Sequence, residues 1–178
     1  MGILAWMGGG CAGVGFLPSE AVATLDKPTH VEVYRMGTLE EHPGYGGKME
    51  GYAVIRTGKA TDELAGQVAA AVQDPAVYSD KAGPEDFVPT VGYRFYRHLS
   101  GGHGQATMDV LVGFDSDQIL MVVRDSSLRE NFRRMIIVEP GRTRLLELAR
   151  QALPFDEVVQ SIPDYPAPTT QPSTSATP

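Results

Sequence analysis

The sequence has little of several residue types, and each shortage excludes a class of protein. It contains one cysteine, Cys11, in 178 residues, so neither an intrachain disulfide framework nor a thiolate metal cluster can form. Fifteen basic residues stand against 22 acidic ones, which gives a net charge of -7. Because nucleic acids and anionic lipid surfaces both attract basic proteins, neither is expected as a partner.

Long apolar runs are also scarce. Residues 1–17 carry no charged side chain, but the run is too short and too rich in glycine to span a bilayer as a helix. It resembles the apolar part of a secretory signal without the preceding basic residues. Gly9, Gly10 and Cys11 resemble the end of a bacterial lipoprotein signal, although Gly8 replaces the usual aliphatic residue. The segment predicts an exported protein of the periplasm or cell envelope, held at the membrane only through a lipid on Cys11.

The remaining chain divides by composition. Residues 18–28 are predicted to be a linker, and residues 29–160 a single folded domain. Residues 161–178 are dominated by proline, serine and threonine, with few apolar groups to bury, so a disordered tail is expected there.

Three alternating segments between Phe87 and Arg124 predict three consecutive antiparallel strands. One face carries the apolar side chains, whereas Arg94, Tyr96 and His98 point to the opposite face. The apolar set is Val91, Tyr93, Phe95, Met108, Val110, Val112, Phe114, Ile119, Met121 and Val123. This sheet is the expected centre of the domain.

The flanking segments extend the sheet and cover it. Alternation predicts strands at residues 29–36 and 52–56, and residues 131–138 fit either a strand or a buried helix end. Thr61 is suited to cap a helix that carries an apolar stripe. The stripe is Leu64, Val68, Ala71 and Val72.

A second helix is predicted after Pro140, with an apolar face and with Arg142 and Arg150 pointing outward. The apolar face is Leu145, Leu148, Ala149 and Ala152. The predicted class is α+β: a mostly antiparallel sheet of about five strands, with two main helices packed on one face.

Four short motifs carry a family resemblance. They are Asp74-Pro75-x-x-Tyr78, Phe87-x-Pro89, Arg94-Phe95 and Val110-Leu111-Val112-Gly113-Phe114. Together with a leucine-rich helix ending in Leu153-Pro154, they resemble a group of uncharacterised, often exported bacterial proteins over residues 58–154. Many of those proteins read Cys-x-Phe-x-Pro and Cys-Phe-x-Cys. Here the cysteine positions hold Glu85, Gly113 and Ser116, so the resemblance implies export but neither a thiol role nor an activity.

No metal site is predicted. His98 and His103 flank a glycine-rich turn, but a metal needs three or four converging ligands. Asp115, Asp117 and Asp125 lack the spacing of a calcium loop and are typical of turns.

No cofactor is predicted, and no residue is predicted to be catalytic. Gly8, Gly10 and Gly13 fit a dinucleotide fingerprint, but Pro18 would break the helix that this fingerprint requires. The serines lack the sequence context of a nucleophile elbow.

The candidate ligand-binding residues are Arg94, His98 and Arg124. If the strands pair in order, Arg94 and Arg124 share one face and could recognise an anion or an acidic partner. The sequence therefore favours an exported, non-enzymatic accessory or binding domain, whose partner is an unknown protein or a small anionic ligand. Two alternatives stay open: a hydrolase-like enzyme with a polar site on an open sheet face near Tyr96 and Asp109, and a cytoplasmic protein-interaction domain. A concave pocket would favour the enzyme, and a flat or apolar surface the binding domain.

Overall fold

The computed structural model describes residues 17–79, 86–99, 104–124 and 130–164, with only the backbone of residues 130–134. In these ranges the helices are α1 (Ser19–Asp26), α2 (Asp62–Gln73), α3 (Gly141–Ala152) and α4 (Glu157–Ser161), with a 3-10 turn at Pro75–Val77. The strands are β1 (His30–Gly37), β2 (Gly47–Met49), β3 (Tyr52–Lys59), β4 (Tyr78–Ser79), β5 (Val91–His98), β6 (Gln105–Gly113), β7 (Gln118–Arg124) and β8 (Glu130–Ile137).

The described strands form one antiparallel sheet in the order β2-β3-β1-β5-β6-β7-β8-β4. The α+β class is confirmed, but the predicted number of about five strands is wrong, since the sheet has eight. β2 and β4 contain three and two residues, too few for an alternating pattern to mark them. The segment 131–138, which fits either a strand or a helix end in the sequence, lies in strand β8 up to Ile137.

The three predicted central strands pair in chain order. Tyr93 on β5 lies opposite Val110 on β6, which lies opposite Met121 on β7. All three side chains are buried in the main core. Period-2 alternation therefore identified both the strands and their buried face.

The two longest helices pack on that same face, as predicted. The Thr61 hydroxyl accepts a hydrogen bond from the Leu64 amide and caps α2. The buried stripes of α2 and α3 belong to one apolar cluster with the sheet. This layer stabilises the fold chiefly through removal of apolar surface from water.

Residues 18–28, predicted to be a linker, instead contain α1. Ala21 and Leu25, one turn apart, are fully buried or nearly so in the main core. A helix this short forms in water only when packing supports it. The sequence between Pro18 and Pro28 therefore has no local pattern that predicts the helix. The first two residues of the predicted tail are instead part of the fold, because Ser161 ends α4 and Ile162 is buried; residues 165–178 lie outside the described ranges.

Arg142, predicted to point outward, is only 4% exposed. Its guanidinium donates to the Asp117 carboxylate at 2.6 Å and to the carbonyls of Phe114, Pro163 and Asp164 at 3.3, 3.1 and 2.7 Å. The β6–β7 turn and the chain after α4 converge on this side chain. Helical periodicity could not reveal that convergence, because both partners are distant in sequence.

The sheet curls strongly at the β2–β3 end. A flat sheet would place β3 and β7 four strand spacings, about 19 Å, apart. Nevertheless Glu50, in the β2–β3 turn, forms an ion pair with Arg124 on β7. A bulge in β1 between Arg35 and Met36 contributes to such bending. The β2–β3 hairpin therefore folds over the face opposite the helices, named the outer face below.

Candidate functional site

The predicted ligand-binding residues Arg94 and Arg124 do lie close together on the outer face. They converge on Asp109, which is fully buried. Arg94 donates from Nε and Nη2 to the two carboxylate oxygens of Asp109, both at 2.6 Å, and Arg124 donates from Nη1 to Oδ2 at 3.0 Å. This bidentate arrangement raises the pKa of Arg94, with the hydrogen bonds to Asp109 as the main cause.

Glu50 adds a second carboxylate to this group. It occupies the first position of a two-residue turn in which Glu50 and Gly51 have φ of 52° and 87°. Its side chain, 11% exposed, pairs with Arg124. Burial and the neighbouring Asp109 carboxylate raise the pKa of Glu50, although Arg124 opposes the shift.

The two arginines are thus matched by two carboxylates from the chain itself. An anionic ligand would have to compete with Asp109, whose burial makes an unpaired charge costly. The hydrolase-like alternative requires an open sheet face. At Arg94 and Arg124 that face is covered by the turn of the β2–β3 hairpin. Met49 contributes to the cover: a Cβ added at Gly92 on β5 would lie 3.0 Å from the Met49 sulfur.

A second polar group adjoins the first, because Glu32 on β1 lies opposite Arg94 on β5. Glu32 accepts hydrogen bonds from the hydroxyls of Tyr34 and Tyr96, the latter at 2.5 Å. These two bonds lower the pKa of Glu32, while burial raises the pKa of Tyr34. Because the tyrosines hold their protons more tightly, they are suited to position the carboxylate rather than to attack a substrate.

His98 does not join the two arginines. It is exposed at the end of β5, four residues from Arg94, which corresponds to about 13 Å along a strand. Its backbone amide donates to the Thr29 hydroxyl at 3.2 Å. The ring stacked on Tyr96 is that of His30, with centroids 4.1 Å apart.

A cleft of about 380 Å³ lies elsewhere, near the ends of β1 and β3. Two stretches of the chain line it: residues 25–31, from the end of α1 to the start of β1, and residues 59–66, from the end of β3 into the first part of α2. Its floor includes Leu25, Val31 and Ala65, all buried, and Lys27 and Lys59 lie at its rim. Sequence reasoning missed this site because it depends on α1 and on the meeting of two segments that are distant in sequence.

Other candidate sites are absent from the described ranges or lie outside them. No group of three or more histidine, cysteine, aspartate or glutamate side chains there could hold a metal ion. The helices of the same ranges include none long and apolar enough to cross a membrane. Cys11, His103 and Asp125 fall outside the described residues.

Comparison with known proteins found no family model that matches the chain, and no significant match among curated proteins or solved structures.

Proposed function

We propose that this chain is an exported, non-enzymatic binding module that takes its ligand in the cleft between α1, β1 and α2. The proposal rests on one observation: the clustered charged side chains of the outer face and the cleft lie at different places on the fold. The Arg94–Asp109–Arg124 group lies under the β2–β3 hairpin, and its two arginines are paired within the chain with Asp109 and Glu50. The cleft instead has an apolar floor and a polar rim, which is the usual composition of a small-molecule binding site.

The export part of the proposal rests on residues 1–17 and on Cys11 as the lipidated residue. Intact-mass spectrometry of the full chain, recovered from a bacterial host, tests it. We expect loss of the residues before Cys11 and the added mass of a lipid. An intact Met1 with an unmodified Cys11 would remove export from the proposal and favour a cytoplasmic interaction domain.

The binding part is tested by two-dimensional NMR of the labelled full chain against a library of small organic molecules. We expect shifts at the amides of Lys27, Val31 and Lys59, without chemical conversion of any compound. Shifts clustered at Arg94 and Tyr96, together with turnover, would overturn the proposal in favour of an enzyme on the outer face.

A further inference from the structure

We infer that the ligand of the cleft is a small organic acid, with an apolar body against the floor and one anionic group at the rim. This inference rests on the proposed function and adds to it the chemical class of the ligand. The volume of about 380 Å³ lies near the lower end of the range for small-molecule sites. Leu25, Val31 and Ala65 offer the body an apolar surface.

Two lysines at the rim are suited to pair with an anion. Lys27 and Lys59 are exposed, and neither forms an ion pair with another residue of the described ranges. Two carboxylates, Asp26 and Asp62, also line the cleft. Asp26 accepts a hydrogen bond from the Gln73 amide at 3.1 Å, and Asp62 lies in the first turn of α2, where the positive end of the helix offsets its charge. The lysines are therefore the groups left for a ligand.

Gly66 supplies an independent argument. It lies inside α2 and lines the cleft, yet a Cβ added there would meet nothing within 4 Å. Glycine inside a helix is less stable than alanine by roughly 0.5–1 kcal/mol, so α2 forgoes stability without a packing reason inside the described fold. A ligand that approaches the helix backbone at this position explains the missing side chain.

The first test uses three probes that share an alkyl chain of the same length and differ in the head group: octanoate, 1-octanol and octylammonium. Titration of the full chain, followed by NMR, should give the tightest binding for octanoate, with shifts at the cleft. Replacing both lysines (Lys27→Gln with Lys59→Gln) should weaken octanoate by about tenfold and leave 1-octanol unchanged. Lys48→Gln, an exposed lysine on β2 away from the cleft, is the matched control and should change neither.

The second test uses Gly66→Ala, which should raise the melting temperature and weaken octanoate. Gln67→Ala, on the exposed side of α2, should leave binding unchanged. Equal binding of the three probes in the cleft would overturn the acid class and leave the proposed binding function in place. If neither these probes nor the compound library binds in the cleft, the proposed function fails as well. Unchanged octanoate binding in Gly66→Ala would refute the close approach to α2.

Discussion

The guanidinium of Arg94 and the carboxylate of Asp109 face each other across β5 and β6 as a registered cross-strand pair, joined by two hydrogen bonds of 2.6 Å. Asp109 is fully buried, whereas the Arg94 side chain is 26% exposed. The pair therefore sits at the boundary of the core, with its negative member inside. Arg124 approaches the same carboxylate from β7, so one acidic side chain links three neighbouring strands.

Replacing that central carboxylate should destabilise the sheet. In Asp109→Asn the two arginines lose a full negative charge, and we expect the free energy of unfolding to fall by about 3 kcal/mol. Urea denaturation measures the loss. Asp115→Asn, in the exposed β6–β7 turn, is the control and should change stability by less than about 0.5 kcal/mol. A similar small effect for Asp109→Asn would mean that the network does not stabilise the fold.

The sequence was sufficient to place Arg94 and Arg124 on one face, because alternation fixes the face of each residue and the short turns fix the order of pairing. It was insufficient to show that their charges are already matched. That depends on Glu50, which reaches β7 only because the sheet curls. Curvature arises from bulges and from the packing of the whole sheet, and neither has a local signature in this chain.

The main strands and the two long helices were predicted from periodicity and capping, which act over a few residues. The predictions that failed, for residues 18–28 and for Arg142, concern features that depend on tertiary contacts. α1 depends on burial of Ala21 and Leu25 against distant strands. Arg142 is buried by the β6–β7 turn and by residues 163–164 after α4, which meet only in the folded state. Segments whose stability comes from tertiary contacts are those that sequence patterns describe least well.

Removing the hydroxyl of Tyr93 should not weaken the fold. The side chain is 1% exposed, and its hydroxyl has no hydrogen-bond partner among the described residues. Burial also raises its pKa, so the group stays neutral. A buried polar group without a partner opposes folding, so Tyr93→Phe should leave the free energy of unfolding unchanged or raise it by about 1 kcal/mol.

Tyr78→Phe is the matched control for that experiment. The Tyr78 hydroxyl donates to the Val72 carbonyl at 3.0 Å, and its loss should cost about 1 kcal/mol in the same urea titration. If Tyr93→Phe were the more destabilising of the two variants, the Tyr93 hydroxyl must have a partner in solution.

Glu50 should make the stability of the fold fall as the pH rises. Its pKa lies above the ordinary value of 4.5, so in the window between the two values the folded chain binds more protons than the unfolded chain. Stability contributed by the protonated form is therefore complete below pH 4.5 and is lost as the pH rises through the folded pKa. Glu50→Gln keeps the shape of the side chain and should remove this dependence.

The measurement is the free energy of unfolding of both proteins at a series of pH values from 4.5 upward. The difference, wild type minus Glu50→Gln, should decrease with rising pH and then level off. For Glu32, two tyrosine hydrogen bonds lower the pKa, so its contribution to stability is complete above pH 4.5 and is lost as the pH falls below that value. In a second series, run below pH 4.5, the difference between wild type and Glu32→Gln should therefore decrease as the pH falls. A difference for Glu50→Gln that grows with pH would contradict the burial of this carboxyl group.

Gly141 should not tolerate even a methyl group. It is the first residue of α3, and a Cβ added there would lie 2.4 Å from the Cγ1 atom of Val77 and 2.9 Å from its Cα atom. The 3-10 turn that holds Val77 is fixed by a hydrogen bond of 2.8 Å from the Val138 amide to the Val77 carbonyl. Relief of the overlap therefore requires movement of backbone as well as side chain, and Gly141→Ala should cost about 1–3 kcal/mol.

A second substitution separates the part of that cost due to the Cγ1 methyl group from the rest. Val77→Ala removes the overlap with the Cγ1 methyl group but leaves the overlaps with Cβ and Cα of residue 77, at 2.8 and 2.9 Å, so in a double-mutant cycle it should rescue Gly141→Ala only in part. Gly44→Ala is the control, since a Cβ there meets nothing within 4 Å, and urea denaturation should show little change. Full rescue in the cycle would show that the turn itself is free to move, and a harmless Gly141→Ala would show that α3 does not pack against Val77 as closely as this geometry requires.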